Sequence, residues 1–183
     1  AQVCADKFGV GVEDIDVQKG DTGKIASGVG TFASRIAVNA GSSVHLASNE
    51  VREKAIKVAA HILEAAQEDM DIEDGRVFVK GSDLSVPLSE VARAVQGMPG
   101  FSLPGGVEPG LEATHYFSPS QSSYCNGTAV VEVGVDPDTG HVDILNYSMA
   151  HDSGTLINPF VVDGQVQGAV AQGVGNALLE WMI

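Results

Sequence analysis

Residues 27–66 read SGVGTFASRIAVNAGSSVHLASNEVREKAIKVAAHILEAA, a glycine-rich loop running into a long helical pattern. Val44, Ala47, Val51, Ala55, Val58, Ile62 and Ala66 recur at intervals of three and four, which gathers apolar side chains on one face of a helix. Glu50 with Lys54 and Glu53 with Lys57 stand acid before base at i, i+4, which suits the opposite, solvated face. One helix from Thr31 to Ala66 exceeds the usual globular length, so a break or bend is predicted near Gly41-Ser42.

Towards the N-terminus, Ala1 to Phe8 reads as the tail of a helix stopped by Gly9, and Ile15 to Gln18 as a strand entering the turn formers Lys19 to Gly23. Towards the C-terminus, Met70 to Gly81 predicts a hairpin turning at Asp74-Gly75, with Val77 and Val79 on one face. Ser85 to Val95 predicts a short strand and a helix starting at Pro87-Leu88-Ser89-Glu90. Residues 97–110 hold eight glycines and prolines, too many for regular structure, and join possible lobes 1–96 and 111–183. Ala129 to Met149 alternates on both sides of Asp136-Pro137-Asp138-Thr139-Gly140, a second hairpin. Asp163 to Met182 has helical spacing but contains Gly164, Gly168, Gly173 and Gly175; each interior glycine costs about 0.8–1 kcal/mol against alanine. Close approach to another helix or a ligand is the expected compensation. The class is α/β (α+β).

The 183 residues, 44% hydrophobic, suffice for one domain or two small ones. A net charge of −14 repels a phosphate backbone and excludes nucleic acid as a partner, while a local nest of N–H groups still permits one anionic cofactor. Cys4 and Cys125 have no metal-ligand spacing, and no segment has the roughly 18 consecutive apolar residues of a membrane span, so the expected setting is reduced and cytoplasmic. The missing initial methionine and the apolar ending Leu178 to Ile183 point to a piece of something longer.

Two segments carry candidate chemistry. In Gly28-Val29-Gly30-Thr31-Phe32-Ala33-Ser34 the glycines let the backbone approach an anion, Thr31 and Ser34 add hydroxyl donors, and the first N–H groups of a following helix are unpaired. It is neither a Walker A loop nor a dinucleotide fingerprint, since it lacks the closing Gly-Lys-Ser/Thr and Ala33 stands at the third glycine. The same residues also read as a plain helix start with a glycine turn, and Phe32 as a core aromatic. The second segment is His151 to Pro159 with Gln165, Gln167 and Gln172, whose amides can meet a planar heterocycle. They read equally as a solvated face, and Asp152-Ser153-Gly154 as a turn. His45 and His61 suit partly packed imidazoles, and Cys125 a structural thiol.

Taken in order, these segments resemble the molybdenum hydroxylase family of xanthine dehydrogenase, aldehyde oxidoreductase and the aerobic carbon monoxide dehydrogenase large subunit. The resemblance runs from Gly20-Asp21-Thr22 through Gly28 to Arg35, Val51 to Ala55, Glu108 to Ala113 and Asp136 to Gly140. It continues with His151 to Gly154, Ile157-Asn158-Pro159, Gly164 to Gly168 and Gln172 to Gly175. It implies that residues 1–183 are an incomplete part of the second molybdopterin-binding region. The subunit it implies oxidises an aldehyde, an N-heterocycle or carbon monoxide with water as oxygen source.

The implied cofactor is molybdopterin with molybdenum, often as the cytosine dinucleotide, the metal being held by the pterin rather than by side chains. Iron–sulfur and FAD centres are implied on other subunits or domains. Carried over by residue, Gly28, Gly30, Thr31, Phe32, Ala33 and Ser34 lie along the cofactor, with Ala33 close to the metal, and Asp152 and Gln165 face it. The catalytic glutamate is expected beyond Ile183, leaving the isolated fragment inactive. The competing expectation is a catalytically inert binding or assembly module that keeps the fold. Gln167 departs from the histidine or glutamate of many relatives, and His151 resembles the xanthine and aldehyde branches more than the carbon monoxide branch.

Overall fold

Helix α2 (Ser42–Leu63) buries Ala55, Val58, Ala59 and Ala60, and this apolar face organises the first of two compact units, Ala1–Ser120 and Gln121–Ile183. The structure is a computed structural model that describes residues 1–26, 28, 30–97 and 102–181. Helix α1 (Gln2–Phe8) ends at Gly9, whose φ of 58° is the left-handed terminator anticipated from the sequence. Strands β1 (Met70–Glu73), β2 (Arg76–Val79) and β3 (Ser85–Pro87) form an antiparallel sheet in that order, followed by α3 (Leu88–Ala94). The β1–β2 turn puts Asp74 and Gly75 at φ 49° and 67°, the positive pair that a two-residue hairpin requires. Val58, Val77, Val91 and Val95 are almost fully buried between α2, the sheet and α3, each contributing about 1.5–3 kcal/mol of transfer free energy.

Arg52 on α2 binds Asp71 on β1, with Lys80 Nζ 3.9 Å from the same carboxylate. The Ile72 backbone N–H, helped by the charges of Arg52 and Lys80, holds the Asp71 carboxyl below its ordinary range. Loop residues Leu103 and Val107, with Leu111, pack on the same core, and Gly110 N–H donates to Val95 O at 2.9 Å. The unit boundary falls at Ser120/Gln121, after the 97–110 loop.

The second unit is a hairpin of β4 (Asn126–Val135) and β5 (Val142–Asp152), followed by α4 (Pro159–Leu178). Asp136 closes the hairpin by accepting from the N–H groups of Asp138 and Thr139, which lower its carboxyl from the ordinary range. Val131 pairs with Tyr147, Val133 with Ile144 and Val135 with Val142, giving one apolar face. A bulge interrupts the ladder: Glu132 faces Asn146 but Val133 faces Ile144, so Leu145 is an extra residue.

Several expectations need correction. Ile15 to Gln18 forms no strand, because alternation alone does not pair a backbone and no ladder partner lies alongside it. The buried face of α2 holds at Ala55 and Val58, but Val44 and Ala66 are exposed, and Ala66 lies past the helix end at Leu63. Glu50 Oε2 lies 2.6 Å from His115 Nε2, a hydrogen-bond partner other than the expected Lys54. His45 and His61 are exposed and bond Asn49 and Ser102, instead of packing into the core. Helix α4 starts at Pro159, four residues earlier than its apolar spacing indicated, because Asn158 caps it: Oδ1 accepts from Val161 N–H at 3.1 Å. A Cβ on Gly164, Gly168 or Gly173 meets nothing within 4 Å among the described residues, so these glycines leave the surface of α4 open. No helix of the described residues is long and apolar enough to cross a membrane.

Candidate functional site

The helical break predicted near Gly41-Ser42 is a π segment, Ala37–Gly41, joined directly to α2. Helical backbone therefore begins at Ile36, five residues after the Thr31 start suggested by sequence. The reason lies in the loop: Ala33 and Ser34 have φ of 54° and 52°, which reverses the chain before the helix can begin. Left-handed backbone costs an L-residue about 1–2 kcal/mol, and two such residues in succession persist only where their surroundings over-determine them. Backbone strain of this kind collects at ligand clamps, as do π segments within helices.

Gly30 has φ 90°, and a Cβ built there meets nothing within 4 Å, so the glycine serves backbone conformation and leaves its flank open. Gly28, Gly30, Thr31, Phe32, Ala33 and Ser34 are all exposed, and Phe32 at 54% is not a core aromatic. Val29 lies outside the described residues. The loop offers an exposed backbone, two hydroxyls and one aromatic ring, with the Arg35 guanidinium 4.6 Å from the Phe32 ring centroid.

Sequence reasoning passed over a local signal here. Thr22 to Asn49 contains no aspartate or glutamate, although the chain carries 24 acidic residues. Lys24 and Arg35 thus make a cationic window in an acidic protein, where an anion meets no carboxylate from the same stretch. This donor set fits a group that combines a flat heterocycle with a phosphate.

In the second unit, Asp152 ends β5, and its Oδ1 accepts from Gly154 N–H at 2.9 Å while Gly154 takes φ 72°. The turn reading of Asp152-Ser153-Gly154 is realised. Gln165, on the second turn of α4, is exposed. Gln165 and Gln172 are seven residues apart and share a helical face, whereas Gln167 points well away from it, so the three amides do not form one row. The loop residues belong to the first unit, and Asp152 and Gln165 to the second.

Among the described residues no three His, Cys, Asp or Glu side chains gather to hold a metal ion. Cys125 is a free, exposed thiol rather than a packed one. His141 lies 3.3 Å from Asp143. The open groove between α2 and residues 106–108 is lined by Glu50, Glu53, Lys54 and Lys57, a mixed-charge wall with little apolar surface for a heterocycle.

The family model described as a molybdopterin cofactor-binding domain matches residues 1–183. The chain is 41% identical over 181 residues to the nicotine 6-hydroxylase large subunit of Paenarthrobacter nicotinovorans, covering 98% of this chain and 22% of that protein. It is 36% identical over 183 residues to the carbon monoxide dehydrogenase large chain of Hydrogenophaga pseudoflava, covering all of this chain and 22% of that one. Quinoline 2-oxidoreductase from Pseudomonas putida 86 superimposes with a TM-score of 0.88 at 38% identity, over 99% of this chain and 23% of its own. The chain therefore spans about a fifth of the length of these relatives. With the whole length matched and the mixed helix-and-strand fold shared, the chain belongs to the molybdopterin cofactor-binding domain family of the molybdenum hydroxylases.

Proposed function

We propose that this chain is part of the catalytic large subunit of a molybdenum-dependent hydroxylase or dehydrogenase that oxidises an aldehyde, an N-heterocycle or carbon monoxide. When bound, the molybdopterin cofactor supplies the two-electron oxidation that draws its oxygen from water. The observation that carries the reading is the loop: left-handed backbone at Gly30, Ala33 and Ser34, exposed, in a stretch free of carboxylates. Its backbone from Gly28 to Ser34 lies along the cofactor, with Ala33 nearest the metal, Thr31 and Ser34 as hydroxyl donors and Phe32 as an apolar wall. Asp152 and Gln165 are the second unit's contribution. The pterin carries a cytosine dinucleotide tail, and the enzyme works in the cytoplasm with iron–sulfur and flavin partners. The glutamate base comes from outside residues 1–183, so these residues alone turn over no substrate.

The test is the ordering of three variants in the full-length enzyme. Gly30→Val puts a β-branched residue at φ 90°, and Ala33→Phe adds bulk beside the metal, so both should lose most of their molybdenum per folded protein. Ser34→Ala removes one hydroxyl contact of about 0.5–1.5 kcal/mol and should retain more. Full molybdenum and pterin content with normal turnover in the first two variants refutes the reading. Absence of molybdenum and pterin from the native full-length protein supports an inert assembly module instead.

A further inference from the structure

The turn at Ala33 and Ser34 has Phe32 and Arg35 as its flanking residues, three positions apart, and the chain reversal brings their side chains together at 4.6 Å. We propose that Arg35 is a positioning residue, whose guanidinium clasps Phe32 across this turn and holds the loop backbone in one shape for the cofactor. The inference rests on the reading above that the loop lies along the cofactor. Two successive L-residues in left-handed backbone do not hold themselves, so something must over-determine them.

Among the described residues, the Phe32–Arg35 stack is a side-chain interaction that spans the turn, and it contributes to that restraint. Arg35 makes no side-chain hydrogen bond or ion pair with another described residue. By contrast Arg52 binds Asp71, and Arg76 donates to Ser85 Oγ at 2.9 Å. The nearest acidic residues along the chain are Asp21 and Glu50, so neither sequence neighbour nor helix turn draws the guanidinium off the ring. A planar guanidinium can lie flat on an aromatic face and keep its N–H edges for an anion, whereas a lysine ammonium sits there as a point charge. The carbonyl of Arg35 also accepts from Asn39 N–H at 2.9 Å, so the clasp ties the turn to the first bond of the helical stretch.

The experiment uses the full-length, cofactor-loaded enzyme with its partner subunits. Arg35→Gln, Arg35→Lys, Phe32→Leu and the Arg35→Gln/Phe32→Leu double variant are compared with Ala33→Phe as a control for loop contact. Rates of molybdenum and pterin release on dialysis, the electron paramagnetic resonance spectrum of the bound molybdenum, and circular dichroism are recorded.

At this exposure the stack predicts release about two- to five-fold faster in Arg35→Gln and in Phe32→Leu. The double variant should be no faster than the faster single, Arg35→Lys should recover part of the loss, and the molybdenum signal should broaden while circular dichroism stays unchanged. Parent-like release and spectrum in Arg35→Gln, or fully multiplicative effects in the double variant, overturn the clasp. If only Ala33→Phe perturbs release and spectrum, the clasp fails and the loop reading stands. If Ala33→Phe is also silent, the loop reading itself fails.

Discussion

Gly9→Ala should unfold the first unit more readily than any ordinary glycine replacement, because two costs coincide there. Gly9 has φ 58°, and its added Cβ lies 2.9 Å from Asp74 N and 3.0 Å from Glu73 Cα, backbone atoms of the β1–β2 turn that cannot rotate away. Gly81 is the internal control, with φ 76° and nothing within 4 Å of a Cβ. Both variants pay about 1–2 kcal/mol for left-handed backbone. Only Gly9→Ala adds overlap, typically about 1–3 kcal/mol, for a total of about 2–5 kcal/mol. The entropy that alanine removes from the unfolded chain is common to the two and cancels in the comparison. Urea unfolding at constant m-value, with amide exchange at Val58, Val77 and Val91, measures the difference. A Gly9→Ala midpoint equal to or above that of Gly81→Ala refutes the packing of α1 on the hairpin turn.

Asp71 has a folded-state pKa held below its unfolded value, so its contribution is complete above about pH 4 and disappears as pH falls through the folded value. Asp71→Asn should therefore flatten the fall of the urea midpoint as pH drops below about 4, by under about 1 kcal/mol because the pair is partly exposed. Asn158→Ala should destabilise α4 by about 1 kcal/mol, seen as faster amide exchange at Val161 and Val162, with Asn158→Asp largely restoring protection.

The parts of the fold legible in the sequence are those where a local rule coincides with the tertiary outcome. Asp74-Gly75 admits one turn geometry, Gly9 one helix ending, and Pro87-Leu88 one helix start, and each stands where expected. Ile15 to Gln18 misled because strand alternation is a property of pairs of segments, and its potential neighbours were not in the pattern. The start of α4 was legible in Asn158-Pro159 and was missed by following apolar spacing, which a capping side chain overrides. For the candidate site, the glycine loop was readable, but its shape was not: nothing in Thr-Phe-Ala-Ser announces left-handed φ at alanine and serine. The carboxylate-free window from Thr22 to Asn49 was readable by counting, and it draws attention to Lys24 and Arg35.

Leu145 carries a consequence for the second unit that its exposure conceals. Strand residues change sides one by one, so an insertion of one residue reverses the parity of everything after it. Counting along β5 from Val142 and Ile144 without the bulge would put Asp152 on the apolar side of the hairpin. With Leu145 inserted, Tyr147, Met149 and His151 take that side, and Asp152 stands opposite Asn126 on the side of Thr128 and Glu132. The side from which this unit offers its carboxylate is thus decided seven residues away from it. Deleting one residue between Ile144 and Asn146 would exchange the places of an imidazole and a carboxylate while leaving both in the chain.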